Sequence, residues 1–325
     1  MMESPSEHPE QPNRANREPL VAAGEIDCQV ADLTATISAT MPLKLAQWRL
    51  REFDQWIPID GDGDAPIGQL VAHNSTGPLR LGYGAWRDLL LGCQFTNGQG
   101  ELITAGGRTV KNVAGYDLTK FMVGQHGAFG QIVTVTCRTW RRPAGAVVAE
   151  FAPDDEILHR LMPSACRPQW AMRIEGALLC GYLGDEPTIE FYLRELPRYA
   201  PKIIQRRSEQ DDIADRAERW RSMPPETGVL TRMTVPPSRI DELVRLADLR
   251  QWSADAAFGI VLCRDEQLEE AALRRAVDAV GGGLMFCRDG RWSHYPVSPA
   301  ERQILLRLKQ AYDPENRLVP LPLEV

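Results

Sequence analysis

The chain has 325 residues, a formal net charge of −7 and a pI near 5.4. Hydrophobic residues make up 43% and charged residues 25%, which is typical of a soluble globular protein with two domains, or one large domain and a cap. The acidic balance offers no positive field for nucleic acid, and the absence of an apolar run of 18 residues argues against a membrane span. Seven scattered cysteines without a C-x-x-C pair argue against a local zinc or iron–sulfur site and indicate a reducing cytoplasm.

The N-terminal residues 1–24 are polar and rich in proline, and they lack the basic start and apolar core of a signal peptide. We interpret them as a disordered lead. From Leu33 to Thr40, apolar residues alternate with threonine and serine, which predicts a half-buried strand. Pro42 then opens a helical pattern, and Asn97-Gly98 between two apolar runs predicts a hairpin turn.

The segment from Gly106 to Thr136, "GGRTVKNVAGYDLTKFMVGQHGAFGQIVTVT", holds six glycines within 25 residues. Asp117 is expected to cap a short helix that stops at Gly124, and a strand is expected to follow. The stretch "RRPAG" at 141–145 is taken as the end of the first domain.

The second half alternates short strands with helices. Ser238 and Ser298 each begin a capping-box pattern at the start of an expected helix. The expected strands are 170–175, 177–183, 202–206, 228–235, 256–263 and 283–287. The expected helices are 187–196, 211–220, 238–249, 266–280 and 298–311.

Three glycine-rich segments occur, at 61–68, 74–84 and 106–130. None has the Gly-Lys-Ser/Thr of a Walker loop or a G-x-G-x-x-G fingerprint between strand and helix. On glycine content alone, tight turns between strands are the simpler interpretation. The alternative is that bare backbone N–H groups surround an anionic or extended cofactor, with Asn74, Ser75 and Thr76 as further donors.

Together these segments resemble a known family. The 106–136 segment resembles the flavin-binding signature of the FAD-binding PCMH-type (vanillyl-alcohol oxidase/p-cresol methylhydroxylase) superfamily, most strongly the glycolate oxidase E subunit. The 67–92 segment, "IGQLVAHNSTGPLRLGYGAWRDLLLG", is similar to the one that this family runs against the FAD pyrophosphate and ring. The stretch "LKQAYDPENRLVP" at 308–320 resembles its C-terminal tail. The resemblance covers 25–145 strongly and 225–320 loosely.

The resemblance implies an α+β fold. An FAD-binding PCMH-type domain would occupy 25–145, and a mixed α/β cap would occupy 146–325, with the C-terminal tail returning to the first domain. FAD is the implied cofactor, and no metal is implied. The residues implied on the pyrophosphate and ring side are Gly68, Asn74, Ser75, Gly77, Tyr83, Gly84 and Arg87. Those implied along the rest of the cofactor are Lys111, Asn112, Gly115, Gly127, Gly130 and Ile132.

The sequence also departs from the family. The family begins with a subdomain that holds a "GGGT"-like pyrophosphate loop, and no such loop precedes residue 25 here. We therefore expect a PCMH-type domain that is truncated at its N-terminus, either through its gene start or through loss of its hold on FAD. The chain has "GAFG" at 127–130 where the family has "GTLG", and Val319 replaces the asparagine before the tail proline.

No catalytic residue is assigned from the sequence. His73 and His126 are the histidines in the cofactor segments, and both are interpreted as surface or packing residues, as is His294, which is expected in a loop. The stretch "AAFGIVLCRD" lacks the histidine pair that the family's catalytic subunit carries in its cap. Arg173 and Arg288 could each meet a carboxylate, but solvated charges at strand ends are favoured.

Three functional hypotheses remain open. The first is an FAD-binding oxidoreductase subunit of a cytoplasmic glycolate oxidase-like complex that oxidises a small 2-hydroxy acid. Its partners would be a larger flavin subunit and an iron–sulfur subunit, and whether it is catalytic alone stays open. The second is a non-catalytic structural subunit that keeps the fold but has lost FAD. The third is a nucleotide-phosphate binder unrelated to flavin.

Overall fold

The computed structural model describes residues 18–108, 117–220, 229–264, 268–288, 291–295 and 297–323. Within these residues the chain forms a five-stranded sheet, a nine-stranded sheet and a small two-stranded one. Every strand pairing in the three sheets is antiparallel. In the part of the chain that the structure describes, no helix has the length and apolarity needed to cross a bilayer.

The first half contains the five-stranded sheet, in the order β1-β2-β6-β4-β5, and the pair β3-β7. Its strands are β1 (Ile26–Gln29), β2 (Thr34–Ser38), β3 (Gln55–Trp56), β4 (Leu90–Thr96), β5 (Leu102–Gly106), β6 (Gln131–Arg138) and β7 (Trp140–Arg141). Its helices are α1 (Leu43–Arg51), α2 (Ile67–Ala72), α3 (Arg80–Tyr83), α4 (Trp86–Leu89) and α5 (Leu118–Phe121).

Two local predictions in this half are confirmed. The turn at Asn97-Gly98 joins β4 to β5, and the Asn97 side-chain oxygen accepts from the backbone N–H of Gln99 and Glu101. The Asp117 carboxylate caps α5 by accepting from the backbone N–H of Lys120 at 3.2 Å. The turn and the helix cap are both made by neighbouring residues, which is why a short stretch of sequence predicts them.

The prediction of a half-buried strand at β2 is wrong, because both faces of the strand are buried. Thr36 on the polar face is 1% exposed, and its hydroxyl lies 2.9 Å from that of Thr136 on β6. The N-terminal segment lies on the same face, where the backbone N–H of Leu20 donates to Gln94 at 2.7 Å. Of the lead expected at 1–24, residues 1–17 lie outside the described residues.

The nine-stranded sheet occupies the second half, in the order β11-β8-β10-β9-β13-β14-β12-β15-β16. Its strands are β8 (Gly145–Phe151), β9 (Trp170–Ile174), β10 (Ala177–Gly184), β11 (Ile203–Arg207), β12 (Val229–Thr234), β13 (Trp252–Asp255), β14 (Ile260–Cys263), β15 (Gly283–Arg288) and β16 (Arg291–Tyr295). The helices here are α6 (Asp155–Leu161), α7 (Glu186–Glu195), α8 (Glu209–Arg219), α9 (Ile240–Leu246), α10 (Glu270–Ala279) and α11 (Pro299–Tyr312).

Two predictions in this half need correction. The strand expected at 256–263 is instead a turn followed by β14. Gly259 has φ +68° there, and a Cβ on it would lie 1.8 Å from the Val235 carbonyl oxygen. The capping pattern at Ser298 is confirmed at the N-cap, since its hydroxyl accepts from the Glu301 N–H. The one at Ser238 is wrong, because that residue lies in a 3₁₀ turn and α9 begins at Ile240 without a side-chain cap.

The two large sheets meet across a shared apolar cluster in which Leu79 packs with Trp220 and Leu230. A buried ion pair crosses the same boundary, with the Arg216 guanidinium 2.6 Å from the Asp60 carboxylate. The C-terminal helix lies on the first half, where Lys309 donates to the Ala128 carbonyl at 2.9 Å. These contacts fix the two halves of the chain against each other at the boundary between the sheets.

Candidate functional site

One face of the nine-stranded sheet turns toward the first half of the chain. On β12 this face carries Leu230, which packs in the cluster with Leu79. Arg232 follows two residues later and so points the same way. It lies opposite Met285 on β15, which in turn lies opposite His294 on β16. Since residues directly opposite each other share a face, Arg232 and His294 both face the boundary between the sheets.

Two histidines of the first half reach the same place. His73 ends α2, and His126 lies in the loop before β6 with φ 54°. The backbone N–H of His126 donates to the Ala72 carbonyl at 2.8 Å, which ties this loop to the helix end. The two imidazoles stack with centroids 5.3 Å apart.

His294 completes a cluster of three imidazoles. Its ring centroid lies 5.7 Å from that of His126, and the Trp292 ring lies 5.4 Å from His126 and 5.8 Å from His73. The expectation that His294 lies in a loop is therefore wrong, because it belongs to β16. Its backbone N–H donates to the Pro322 carbonyl at 3.1 Å, so the C-terminal tail runs beside it.

Burial keeps these imidazoles neutral near pH 7. It lowers the pKa of His73 to about 4, and it lowers the pKa of His126 to about 3 with help from His73, His294 and Arg232. Burial also lowers the pKa of His294. Among the described residues, the Nδ1 atoms of His73 and His126 are buried without a hydrogen-bond partner. The same residues contain no group of three histidine, cysteine or acidic side chains arranged to hold a metal ion.

Main-chain groups of the loop after His73 make two of the hydrogen bonds that anchor it. The Thr76 carbonyl accepts from the Trp220 indole N–H at 2.8 Å, and the Leu79 N–H donates to Asp60 at 2.7 Å. The side-chain oxygens of Asn74 and Thr76 are buried without a partner among the described residues. Unsatisfied buried groups cost roughly 1–3 kcal/mol each, so a polar ligand that met them would stabilise this loop.

Two arginines lie at the boundary between the sheets, one from each half of the chain. Arg80 on α3 has its guanidinium carbon 4.0 Å from the centroid of the Phe258 ring. Arg232 and Arg80 are close enough to affect each other electrostatically, and each also interacts with the Asp255 charge. Within the described residues, neither arginine side chain forms an ion pair or a hydrogen bond. Burial and the Arg80 charge lower the pKa of Arg232 to about 10, so it remains a cation at pH 7.

The carboxylate of Asp255 interacts electrostatically with both arginines. It is fully buried, and one of its oxygens accepts from the N–H groups of Ala257 and Phe258 at 3.1 and 3.2 Å. Its other oxygen has no partner among the described residues. Burial raises the pKa of Asp255 to about 7, although the Arg80 charge opposes this. At neutral pH it therefore only partly balances the two arginines.

Most of the glycines implied as cofactor contacts face the protein's own atoms. A Cβ on Gly68 would lie 2.6 Å from the Ala39 side chain, one on Gly77 would lie 2.6 Å from Asp60, and one on Gly130 would lie 2.6 Å from Phe95. Each glycine therefore has a packing reason that needs no cofactor, and its predicted contact with FAD stays a prediction.

The other implied residues divide into four groups. Asn74 and Ser75 lie in the loop beside the histidine cluster. Gly127 (φ +83°) and Gly84 (φ +87°) need a left-handed backbone, and a Cβ on Gly127 would lie 3.0 Å from Val319 of the tail. Tyr83 packs edge-on against Trp56 and Trp140, Arg87 is exposed on α4, and Ile132 is in the core. Lys111, Asn112 and Gly115 lie outside the described residues.

The arginines considered from the sequence bind the protein's own carboxylates. Arg173 is 3% exposed and meets both oxygens of Asp241 at 2.6 and 2.8 Å, and Arg288 lies 2.8 Å from Glu270. Sequence reasoning missed Arg80 and Arg232. A usable signal existed for Arg232, because in "VLTRMT" it takes the same face as Leu230.

Comparisons with known proteins agree with the resemblance. The chain is 32% identical over 154 residues to a D-2-hydroxyglutarate dehydrogenase of Xanthomonas citri pv. viticola, covering 46% of this chain and 32% of that protein. It is 31% identical over 128 residues to the glycolate oxidase subunit GlcE of Escherichia coli (strain K12), covering 38% and 36%. The matched part thus spans about a third of each relative's length. No family model matches the chain.

The fold is also found in a solved structure. The chain superposes on alkyldihydroxyacetonephosphate synthase with a TM-score of 0.60 and 14% sequence identity, covering 87% of this chain and 63% of that one. The resemblance to the FAD-binding PCMH-type superfamily is confirmed. The expected mixed α/β architecture of that type is confirmed with it.

Proposed function

We propose that this chain is an FAD-binding subunit of an oxidoreductase that acts on a small 2-hydroxy acid, within a glycolate oxidase-like complex. The relatives named above are a D-2-hydroxyglutarate dehydrogenase and a glycolate oxidase subunit, and both of these names state a 2-hydroxy acid substrate. One structural observation carries the proposal. The segments of strongest resemblance bring unpartnered buried atoms of His73, Asn74, Thr76 and His126 to the boundary between the sheets.

The chemistry of these atoms suits the ring of a flavin. The polar edge of that ring offers one N–H donor and several acceptors. An asparagine oxygen accepts, a threonine hydroxyl does either, and a neutral imidazole nitrogen donates or accepts according to its tautomer. Asn74 and Thr76 would therefore hold the ring edge, while Trp292 and the apolar cluster around Leu230 would keep water from it. Three of the residues proposed along the rest of the cofactor, Lys111, Asn112 and Gly115, lie outside the described part.

In such a site the bound flavin would supply the acceptor for the hydride of the substrate's carbinol carbon. What this chain would add is position and hydrogen bonding. Because His73 and His126 are neutral near pH 7, either imidazole could accept a hydrogen bond from the hydroxyl of a 2-hydroxy acid. Their stacking on each other and against Trp292 would hold the rings in place.

The proposed partners are a larger flavin subunit and an iron–sulfur subunit, because the relative GlcE is named as one subunit of a glycolate oxidase. A cytoplasmic location is part of the proposal, and it is supported by seven free cysteines. The second candidate is a structural subunit without FAD. It is favoured by Gly77 and Gly127, since a Cβ at these positions would meet Asp60 and Val319 of the chain itself.

A matched pair of variants separates the two candidates. Thr76→Val and Thr34→Val each replace a buried hydroxyl that lacks a partner among the described residues by an isosteric methyl group. Both should raise the stability of the protein without FAD by about 1 kcal/mol, because an unsatisfied group disappears. Only Thr76→Val should weaken FAD binding, by about tenfold for one lost hydrogen bond.

The measurements are FAD titration by fluorescence quenching and chemical denaturation of the full chain. Flavin absorbance of the purified protein, with the Thr76 variant alone weakened, supports a flavoprotein. A folded, colourless protein that does not bind added FAD but captures a flavoprotein partner would instead establish the structural subunit.

A further inference from the structure

We propose that a groove between α1 and α8 binds a small amphipathic carboxylate, with its apolar body between the helices and its head group at Arg51. The two helices belong to different halves of the chain, and a cavity of about 380 Å³ lies between them. Small-molecule sites typically enclose roughly 300–1,000 Å³. The groove is a second site, because none of the described residues that line it is proposed above to contact the flavin or belongs to the histidine cluster.

Each wall of the cavity is one side of a helix. The α8 wall is made of residues spaced three and four apart, which share one helix face: Gln210, Ile213, Ala214 and Ala217. On the α1 side, Leu43 and Trp48 supply apolar surface. Trp48 is 55% exposed although it lines the cavity, so its indole stands at the mouth. The two small alanines face this indole side and leave room for an apolar body.

The walls are joined by contacts between the two halves of the chain. The Arg51 guanidinium on α1 donates to the Gln210 side-chain oxygen on α8 at 2.9 Å when that amide is oriented to accept. Further along α8, Arg216 lines the cavity and holds Asp60 of the first half at 2.6 Å. Because both helices are fixed in this way, the cavity is formed before a ligand arrives, which lowers the cost of binding.

The acceptors that line the cavity are already engaged. Gln47 uses both ends of its amide on the main chain of Ile57, at 2.7 and 3.0 Å. Glu209 accepts from the Arg142 guanidinium at 3.2 Å, and Asp60 is held in the buried ion pair described above. A ligand whose polar group is a donor would therefore find few free partners here.

Donors, in contrast, remain available. Trp56 lines the cavity and is 2% exposed, and its indole N–H is buried without a partner among the described residues. Arg51 meets the neutral Gln210 amide and forms no ion pair within the described residues. Guanidinium groups bind planar carboxylates through two parallel N–H bonds. The cavity thus suits a molecule with an apolar body and one carboxylate, which is a different class from a small 2-hydroxy acid.

The test is binding of decanoate to the full chain without added FAD, measured by calorimetry and by the shift of the thermal midpoint. Decan-1-ol has the same apolar body without the charge, and D-lactate has a carboxylate without the body. Decanoate should bind and raise the midpoint, because a ligand that binds only the folded state stabilises it. Decanol should bind several-fold more weakly, and lactate should not compete with decanoate.

Two variants probe the two parts of the groove. Ala217→Leu fills the cavity with a residue that is also a strong helix former, so it should lower the affinity for decanoate and for decanol at least tenfold. Arg51→Met should lower decanoate affinity about tenfold and leave decanol affinity unchanged. The matched controls are Ala271→Leu on α10 and Arg49→Met on α1, which replace exposed residues that do not line the cavity. Both controls should bind decanoate as wild type does.

Three results would overturn this site. They are no decanoate binding at all, decanoate binding that neither Ala217→Leu nor Arg51→Met weakens, and equal affinity for decanoate and decanol. A wild-type dimer that Ala217→Leu dissociates in gel filtration, without decanoate binding, would assign the cavity to an interface between two copies of the chain instead. Since FAD is absent throughout, none of these results bears on the proposed redox function.

Discussion

The imidazole of His126 stacks on that of His73 with ring centroids 5.3 Å apart and an interplanar angle of 27°. Beside this stack, the N–H groups of Gly124 and His126 donate to the Val71 and Ala72 carbonyls at 3.1 and 2.8 Å. Two glycine-rich segments that are about 50 residues apart in sequence thereby become neighbours. The contact builds one wall of the candidate site, and His294 and Arg232 of the second half face it.

The buried histidines predict an acid-sensitive fold. In the unfolded chain a histidine titrates near 6.5, while burial lowers the folded pKa of His126 to about 3. As pH falls below 6.5 the unfolded state therefore takes up the proton first, so the free energy of unfolding should decrease from pH 6.5 toward pH 3. His126→Asn, which tolerates the left-handed φ of 54°, should flatten that decrease.

Urea denaturation at several pH values between 4 and 7.5 checks this prediction. His159→Asn is the control, because His159 is exposed on α6. An unchanged pH slope in the His126 variant would show that this imidazole is not the group that titrates.

Asp255 predicts a pH dependence of opposite sign. Its carboxyl has a folded pKa of about 7, raised by burial from 3.8. Between pH 4 and pH 7 the unfolded chain has already lost this proton while the folded chain holds it. Its contribution to stability is therefore complete below pH 4 and is lost as pH rises through 7. In Asp255→Asn the amide oxygen can still accept from Ala257 and Phe258, but the group no longer ionises.

The stability difference between Asp255→Asn and wild type should therefore grow in favour of the variant from pH 4 to pH 7 and level off above it. Denaturation midpoints at pH 4.5, 6 and 8 measure it. A difference that is constant with pH would place the folded pKa of Asp255 near its ordinary value.

Replacing Arg216 is expected to cause a large loss of stability. Its side chain is 2% exposed and binds both Asp60 and Asp212, which are themselves buried. Arg216→Met should cost about 3–5 kcal/mol, because it leaves buried carboxylates without their cation. Arg219→Met on the same helix removes a surface pair with Asp215 and should cost less than about 1 kcal/mol. Guanidinium denaturation of both variants gives the comparison, and equal losses would contradict the role of the buried pair.

A side chain at position 127 is expected to strain the backbone. Its φ is +83°, and an added Cβ would lie 3.0 Å from Val319. Gly127→Ala should destabilise the protein by about 1–2 kcal/mol. Val319→Ala in the same chain should restore only the steric part, since the φ strain remains. Full recovery in the double variant would show that contact with the tail, rather than φ, sets the requirement for glycine.

A larger residue at the same place tests the cofactor position. Gly127→Leu is expected to abolish FAD binding if the cofactor runs along this loop. Retained flavin stoichiometry in a folded Gly127→Leu variant would count against that position.

The parts of the fold that short stretches of sequence predict are those made by local chemistry. Asn97 turns the β4–β5 hairpin with its own side chain, Asp117 caps α5 three residues away, and Ser298 does the same for α11. The family resemblance predicted the architecture for the same reason, since its motifs are continuous stretches. The prediction of a half-buried strand at β2 was wrong because alternating residues show only which face of a strand is polar. Whether the threonine face is buried depends on Gln94 and the N-terminal segment, which lie against it.

The sequence by itself determined the FAD-binding PCMH-type resemblance, the turns and caps, and the segments in which a cofactor site was expected. Only the tertiary structure decided that His73, His126 and His294 meet, that Arg80 and Arg232 come within electrostatic range of each other, and that several glycines of the glycine-rich segments pack against the chain's own side chains. The physical reason is separation along the chain. Local hydrogen bonds and residue periodicity act over a few positions, whereas these contacts join residues from different sheets and depend on how the two halves pack.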